Sequence, residues 1–357
     1  MPLPTHTRSG RLGHGIAPLV LGAVLMLGAA APAAAQNAEA LDLSGVEITI
    51  GIQSSGSSAA TAILEASGVF EDTPYTLTWA NFDGANSAVE ALFAGAIDGD
   101  IGLNFSSPVL TQGNASEPWT EDTLPFIIIG GNKSLGSNGI SIVVHPDSGI
   151  ETVADLEGKI VSFARGTAQH YFFAIAAQEA GLDLDDVEFA LMPLAEARAA
   201  FVGGAVDALV TAYSNARPVV SAGDGVIIAS SAGLFDSYSW LVARPEALAD
   251  PLKEAAFADI LRRLVEAQEW EEANQDEVVQ IYIDVSRQSP EDARANVEDS
   301  NSEYVPIDAA AIAANQRQAE VFYEAGVISQ QIDTSIVFDD RFNWVLESDA
   351  GAPAGGQ

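Results

Sequence analysis

The 357-residue chain has no cysteine, which removes disulfides, thiolate catalysis, iron–sulfur clusters and cysteine-ligated zinc together. Basic residues are nearly as scarce: 15 Lys and Arg stand against 50 Asp and Glu, a formal charge of −35. A surface of that sign repels polyphosphate backbones, so nucleic acid is excluded as a partner. Long apolar runs are missing beyond residue 35, which excludes a multi-span membrane protein. Beyond that point only His145 and His170 remain of the four histidines. No His-Glu-x-x-His pair, P-loop, Gly-x-Ser-x-Gly elbow or calcium-loop spacing occurs. No catalytic group, metal site or cofactor is therefore predicted, and the chain is expected not to be an enzyme.

What remains is 48% hydrophobic and only 18% charged, a balance that folds, at a length that suggests roughly two domains. Residues 1–35 have the form of a secretory signal: Arg8 and Arg11 give a basic start, Ile16 to Ala30 an apolar stretch, and Ala33-Ala34-Ala35 a small-residue cleavage site. Gln36 is the predicted mature start. No cysteine follows it, so a periplasmic location without lipid anchor or membrane insertion is expected. Removal of the leader leaves thirteen basic residues against 50 acidic ones. Such a chain repels itself unless salt screens it, which points to a saline exterior.

Strand-like and helix-like segments alternate through most of the mature chain. Val46 to Ile52, Tyr75 to Trp79 and Ile97 to Leu103 read as strands, separated by helices over Ala59 to Ser67 and Asn86 to Phe93. A second set places strands at Ile160 to Phe163, Val187 to Met192 and Val206 to Thr211, with helices at Ala168 to Ala180 and Leu194 to Phe201. Strands spaced by helices of about ten residues indicate parallel βαβ units. Ala94-Gly-Ala-Ile-Asp98 and Gly203-Gly-Ala-Val-Asp207 echo each other, each with a helix-ending glycine and a strand-opening Asp. Phe126 to Ile129, Ile140 to His145 and Tyr238 to Ala243 read as strands that lead into and out of the second unit. After Arg244-Pro245 the pattern is helical. Phe257, Ile260, Leu261, Leu264 and Val265 form one apolar stripe, and a further helix spans Asp308 to Ala325.

Three hydroxyl- and glycine-rich loops stand where strands end and helices begin: Gln53 to Ser58, Ser106-Ser107, and Arg165-Gly-Thr-Ala-Gln-His170. Helix N-termini present unpaired N–H groups and suit an anion, and open α/β sheets bind ligands at the carboxyl ends of their strands. Taken singly, each loop reads as an ordinary Ser/Thr helix cap; jointly, three such loops in two lobes favour a cleft. Among so few bases, Arg165 and Arg217 lie near strand ends and could meet an anionic ligand or one of the many carboxylates. Phe82, Tyr213, Tyr238 and Trp240 could wall the ligand's apolar part or fill the core. His170 could donate to a ligand or pack. With a cleft carboxylate it is the one acid/base pair an enzyme reading could use.

These stretches resemble the periplasmic solute-binding proteins of ABC importers for aliphatic sulfonates and taurine, from about Val46 to Phe342. The resemblance rests on Gly51-Ile-Gln53, Gly95-x-Ile-Asp98 with Ile101-Gly102, Ser106-Ser107-Pro108, Val153-Ala-Asp-Leu-Glu-Gly-Lys-Ile160, Arg165-Gly-Thr-Ala-Gln-His170, Glu196-Ala-Arg-Ala-Ala-Phe201 and Gly204-Ala-Val-Asp207. It extends to a broader group that binds nitrate, pyrimidine precursors and aromatic acids. The resemblance implies a two-lobed type II periplasmic-binding fold: mixed, mostly parallel sheets flanked by helices and joined by a hinge of two crossover strands. Its lobes would be 36–143 with 239–346, and 144–238, after a 1–35 signal and before a disordered 347–357 tail. It implies capture of a small organic anion and delivery to a membrane permease by what is expected to be a monomer. The implied ligand contacts are Gln53, Ser106, Ser107, Gly166, Thr167, Ala168 and His170. Ser54, Ser55, Phe82, Tyr213, Ser214, Arg217 and Trp240 complete the candidate set. Where the sulfonate binders usually carry Trp-Asp-Pro-Tyr, this chain has Ala212-Tyr-Ser-Asn215, so the wall facing the organic part of the ligand differs.

Overall fold

The computed structural model describes residues 41–53, 58–82, 84–136 and 139–349; the leader expected over 1–35 and residues 350–357 of the expected tail lie outside them. The first stretch alternates β1 (Glu47–Gln53), α1 (Ser58–Ser67), β2 (Thr76–Phe82), α2 (Ala85–Phe93), β3 (Gly99–Asn104), α3 (Ser107–Gly113) and β4 (Ile127–Ser134). Then come β5 (Ile140–Val144), β6 (Ile160–Phe163), α4 (Ala168–Ala180), β7 (Glu188–Leu191), α5 (Leu194–Val202), β8 (Ala208–Ala212), α6 (Tyr213–Ser221) and β9 (Val226–Ser230). The chain returns through β10 (Tyr238–Ala243), α7 (Pro245–Leu248), α8 (Pro251–Ala273), α9 (Gln275–Ser286), α10 (Pro290–Asp299), β11 (Ser302–Val305), α11 (Ala309–Glu324) and α12 (Asn343–Asp349). Residues 347–349, assigned to the tail from sequence, thus end a helix whose Val345 is buried. Among the described residues no helix is long and apolar enough to cross a membrane.

Two sheets result, one of six strands in the order β11-β4-β10-β3-β1-β2 and one of five in the order β7-β6-β8-β5-β9. Both are mixed. Among the named strands of the described residues, parallel pairing is confined to β1 with β2 and β3 and to β6 with β7 and β8, so it does not predominate as expected. The strands that pass between the sheets run back against their neighbours: β10 is antiparallel to β3 and β4, and β5 to β8 and β9.

Each sheet is covered on both faces, which explains its nearly continuous apolar strands. Ile48, Ile50 and Ile52 of β1 pack on Phe257, Ile260, Leu261 and Leu264 of α8, the predicted stripe. Across the same sheet, Leu103, Phe105 and Trp240 meet Val89 and Leu92 of α2 and Phe322 of α11. In the second sheet Ile142, Val144 and Phe163 pack on Phe172 and Phe173 of α4, while Val143 and Leu209 pack on Phe201 and Val219. Full burial of each such side chain contributes about 1.5–3 kcal/mol relative to exposure.

The sequence echo is a geometric one. After α2 and after α5, Gly95 and Gly204 take φ of +69° and +72°, and the N–H groups of Ala96 and Ala205 reach back to Ala91 O and Ala200 O at 2.9 and 2.8 Å. This is a Schellman ending. Asp98 Oδ2 then accepts Thr49 N–H at 2.9 Å, and Asp207 Oδ2 accepts Ile160 N–H at 2.8 Å, so the same device fastens a helix return to the neighbouring parallel strand in both sheets.

The two crossovers, between β4 and β5 and between β9 and β10, are bonded to each other. Ser134 N–H donates to Ser237 O at 2.9 Å and Ser231 N–H to Ile140 O at 2.8 Å. Ser231 Oγ accepts Ile140 N–H at 2.8 Å and occupies the place a Cβ on Gly139 would take, at a φ of +55°. Only glycine fits there.

Candidate functional site

The carboxyl ends of the parallel strands carry most of the residues singled out from sequence. Gln53 ends β1, half-buried, with its Nε2 sealed from solvent; Ser54 and Ser55 lie outside the described residues. Phe82 ends β2 and packs against the aromatic core. Ser106 and Ser107 follow β3, Ser106 preceding α3 and Ser107 opening it, 1% and 6% exposed. Ser106 Oγ accepts a hydrogen bond from Gln318 Nε2 of α11 at 2.9 Å, while Asn315 Nδ2 of the same helix donates to Phe105 O at 3.2 Å. The serine turn is thus held from behind by α11.

In the second sheet, Gly166, Thr167 and Ala168 join β6 to α4. Gly166, at φ +72°, lies against α3: a Cβ there would come within 2.9 Å of Leu110 Cδ1. The turn before α4 in one sheet therefore lies against Leu110 of α3, the helix that follows the serine turn of the other sheet. Thr167 is the cap of α4, accepting His170 N–H at 3.4 Å and donating through Oγ1 to Ala164 O at 2.8 Å. Tyr171 N–H closes the first helical bond on Thr167 O. The N–H groups of Ala168 and Gln169, in the first turn, are left outside the ladder of this 13-residue helix. His170 is 5% exposed, tilted against Phe163 at 4.9 Å, and its Nδ1 accepts Gly166 N–H at 3.2 Å. Burial, helped by the charge of Arg165, pushes its pKa down to about 4. At neutral pH it is an uncharged imidazole that braces the loop.

Of the remaining candidates, Tyr213 is half-buried at the start of α6, and its N–H donates to Gly139 O of the crossover at 2.9 Å. Ser214 is exposed and borders a hollow of about 520 Å³ shared with Asn215, Tyr282, Asp292 and Asn296. Arg217 is bound by Asp292 and lies 3.5 Å from Glu291, so it takes the carboxylate role among the two left open. Both acids belong to α10, which joins α9 on the side of α1 and α8. Trp240 must be corrected as a cleft-wall candidate. It is fully buried, stacked on Tyr238 at 4.8 Å, because β10 lies mid-sheet between Leu103 and Gly131 with both faces covered.

Hollows follow the seam between the two sheets on either side of α4. One of about 540 Å³ is lined by Arg165, His170, Gln178, Phe189 and Glu324. Another, of about 750 Å³ at the crossovers, is lined by Lys133, Gly139, Ala168, Gln169, Ser231 and Asp236. Arg165 Nη2 donates across the seam to Gly326 O at 2.8 Å, and Arg317 Nη2 to Gln178 Oε1 at 3.3 Å. Among the described residues no group of three or more His, Asp or Glu is arranged to hold a metal ion.

Three residues at these loops gave no sequence signal that singled them out: Gln318, Asp292 and Asp100. The first two act from distant segments. Asp100, in β3, was one of fifty acids, yet it is fully buried. What buries it is the register that sets it opposite Gly51, which no local pattern carries.

Residues 133–297 match the family model described as NMT1/THI5 like. A curated Escherichia coli protein named for aliphatic sulfonate binding is 26% identical over 265 residues, covering 72% of this chain and 77% of that protein. A Bacillus subtilis protein named in the same way is 27% identical over 306 residues, 83% and 86% of the two chains. Among solved structures, the periplasmic aliphatic sulphonate binding protein of Escherichia coli superposes with a TM-score of 0.69 at 23% identity, over 82% of this chain and 91% of that one. The alkanesulfonate-binding protein of Xanthomonas axonopodis pv. citri bound to MOPS gives 0.67 at 21% identity, over 83% and 99%. The periplasmic nitrate-binding protein of Synechocystis PCC 6803 gives 0.63 at 16%, over 87% and 90%. These similarities bear out the resemblance read from the sequence and the two-lobed fold it implied.

Proposed function

We propose that this chain is an extracytoplasmic solute-binding protein that captures a small organic anion, an aliphatic sulfonate or taurine-like compound, and hands it to the permease of an ABC importer. The observation that carries this reading is the approach of Gly166, in the turn that opens α4, to Leu110 of α3, the helix that the Ser106-Ser107 turn opens, with Gln53 on the strand beside β3. Lobes of residues 36–143 with 239–346, and 144–238, would open and close about the bonded crossovers. The N–H groups of Ala168 and Gln169 outside the α4 ladder, with the Ser107 hydroxyl and the Gln53 amide, would supply donors. Short hydrogen bonds in a closed, water-poor cleft outweigh the long-range repulsion from the acidic surface, which salt screens. No bond is made or broken, and His170, neutral and engaged with Gly166, supports the loop rather than chemistry. Export through the leader would leave the mature chain free in the periplasm.

Calorimetry on protein unfolded, washed and refolded tests this. Ethanesulfonate and taurine should bind more tightly than nitrate or benzoate. Absence of heat with every sulfonate, or preference for nitrate, would overturn the ligand class.

A further inference from the structure

Asp100 is fully buried in β3, directly opposite Gly51 of β1. The absence of a side chain at Gly51 is what makes room for it, since a Cβ there would collide with Asp100 Oδ2. Thr49, Gly51 and Gln53 alternate on the face of β1 away from Ile48, Ile50 and Ile52, so the Gln53 side chain lies next along the strand from that gap. Neither carboxylate oxygen of Asp100 nor Nε2 of Gln53 closes a hydrogen bond, though all three atoms are sealed from solvent. The surroundings are apolar. Ile97 and Phe82 adjoin the gap, α2 turns Ala88, Val89 and Leu92 inward and Glu90 outward, and Val242 of β10 pairs from the other side. The nearest acid along the strand, Asp98, is occupied by Thr49 N–H and by Lys253 at 2.7 Å. Burial raises the Asp100 pKa to about 8, and the polar Gln53 amide beside it is what opposes that rise.

We propose that Asp100 is a positioning residue whose carboxyl decides which end of the Gln53 amide faces the cleft, and so sets the affinity for an anion. The inference rests on the anion-capture reading above. A protonated carboxyl donates its O–H to Gln53 Oε1 and turns Nε2–H toward the ligand. An ionised carboxylate can only accept, so it draws Nε2–H inward and presents Oε1, which an anion avoids. The amide's two ends are alike in shape, so the proton alone makes the choice. The residue confers a specificity that weakens in alkali, and it favours ligands that accept hydrogen bonds at this point.

Ethanesulfonate, ionised at every pH used, is the probe. Its dissociation constant should rise about tenfold or more between pH of about 6.5 and 9.5, the loss of one hydrogen bond to a charged group. At pH of about 8.5, calorimetry in buffers of differing ionisation enthalpy should register proton uptake on binding. Asp100→Asn, whose Nδ2–H replaces the donor at all pH values, should bind with an affinity flat across that range. Gln53→Met should bind weakly and also without the step. A step that persists in Gln53→Met, or sulfonate binding by the unaltered chain with neither step nor proton uptake, overturns the proposal. Failure of the unaltered chain to bind ethanesulfonate even near pH 6.5 overturns the anion reading and this inference with it.

Discussion

Buried ionisable groups near the strand ends make pH a probe of individual side chains. His170 is held down at about 4 first by burial and then by Arg165, against about 6.5 in an unfolded chain. Between those values the unfolded chain takes a proton that the folded chain refuses. The contribution of His170 is therefore complete above about 6.5 and is lost as pH falls toward 4, a difference worth roughly 3 kcal/mol. His170→Gln, whose Oε1 can still accept Gly166 N–H, should show a shallower fall in Tm than the unaltered chain between pH of about 7 and 4.5. Identical slopes would show that the imidazole is not the titrating group. At this scale the sequence was informative where position along a strand decides the role: Gln53, Ser106 and Gly166 all sit where β-strands run out. It was misleading for Trp240, because an aromatic looks the same whether its strand lies mid-sheet or at a rim. It was silent on Asp100, since burial against a glycine one strand away is a matter of register.

Among the elements, the matched helix endings after α2 and α5 are the feature most legible in advance, because Gly followed two and three residues later by an apolar residue and Asp encodes both the left-handed turn and the carboxylate that fastens it. Gly204→Ala should cost about 1 kcal/mol through φ strain alone, since the space around Gly204 is open. Gly95→Ala should cost at least as much, because its Cβ would come within 3.0 Å of Arg244 Nη1. Thermal denaturation followed by circular dichroism should show a drop of about 2 °C or more for each; an unchanged Tm for Gly204→Ala would refute the left-handed ending. Elements the sequence did not announce include α3, α6, α9, α10, α12, β9 and β11. β9 is an edge strand with Val226 and Ile227 partly in solvent. α10 buries a single residue, Ala293, so neither shows the periodicity that a well-covered element leaves in a sequence.

For the molecule as a whole, charge and connectivity dominate. The −35 balance strains a compact state, and screening relieves it. Raising NaCl from about 0.05 M to about 1 M should therefore raise Tm even though it weakens exposed ion pairs such as Arg294 with Asp276. A fall in Tm would mean that local pairs, not net repulsion, set the salt response. The alternation of strands and helices made two α/β units visible in the sequence. The proportion of antiparallel pairs was hidden, because it follows from strands that travel between units and not from any local pattern. That connectivity has a consequence during synthesis. β10 fills the middle of the six-stranded sheet between β3 and β4, yet it emerges only after the entire five-stranded sheet has been made. A nascent chain ending before Tyr238 owns both flanks of its first sheet and lacks the strand that joins them. The middle of the chain, threaded out after the first four strands, is thus the first part that can finish folding, and the amino-terminal strands must wait, open-edged, for their keystone.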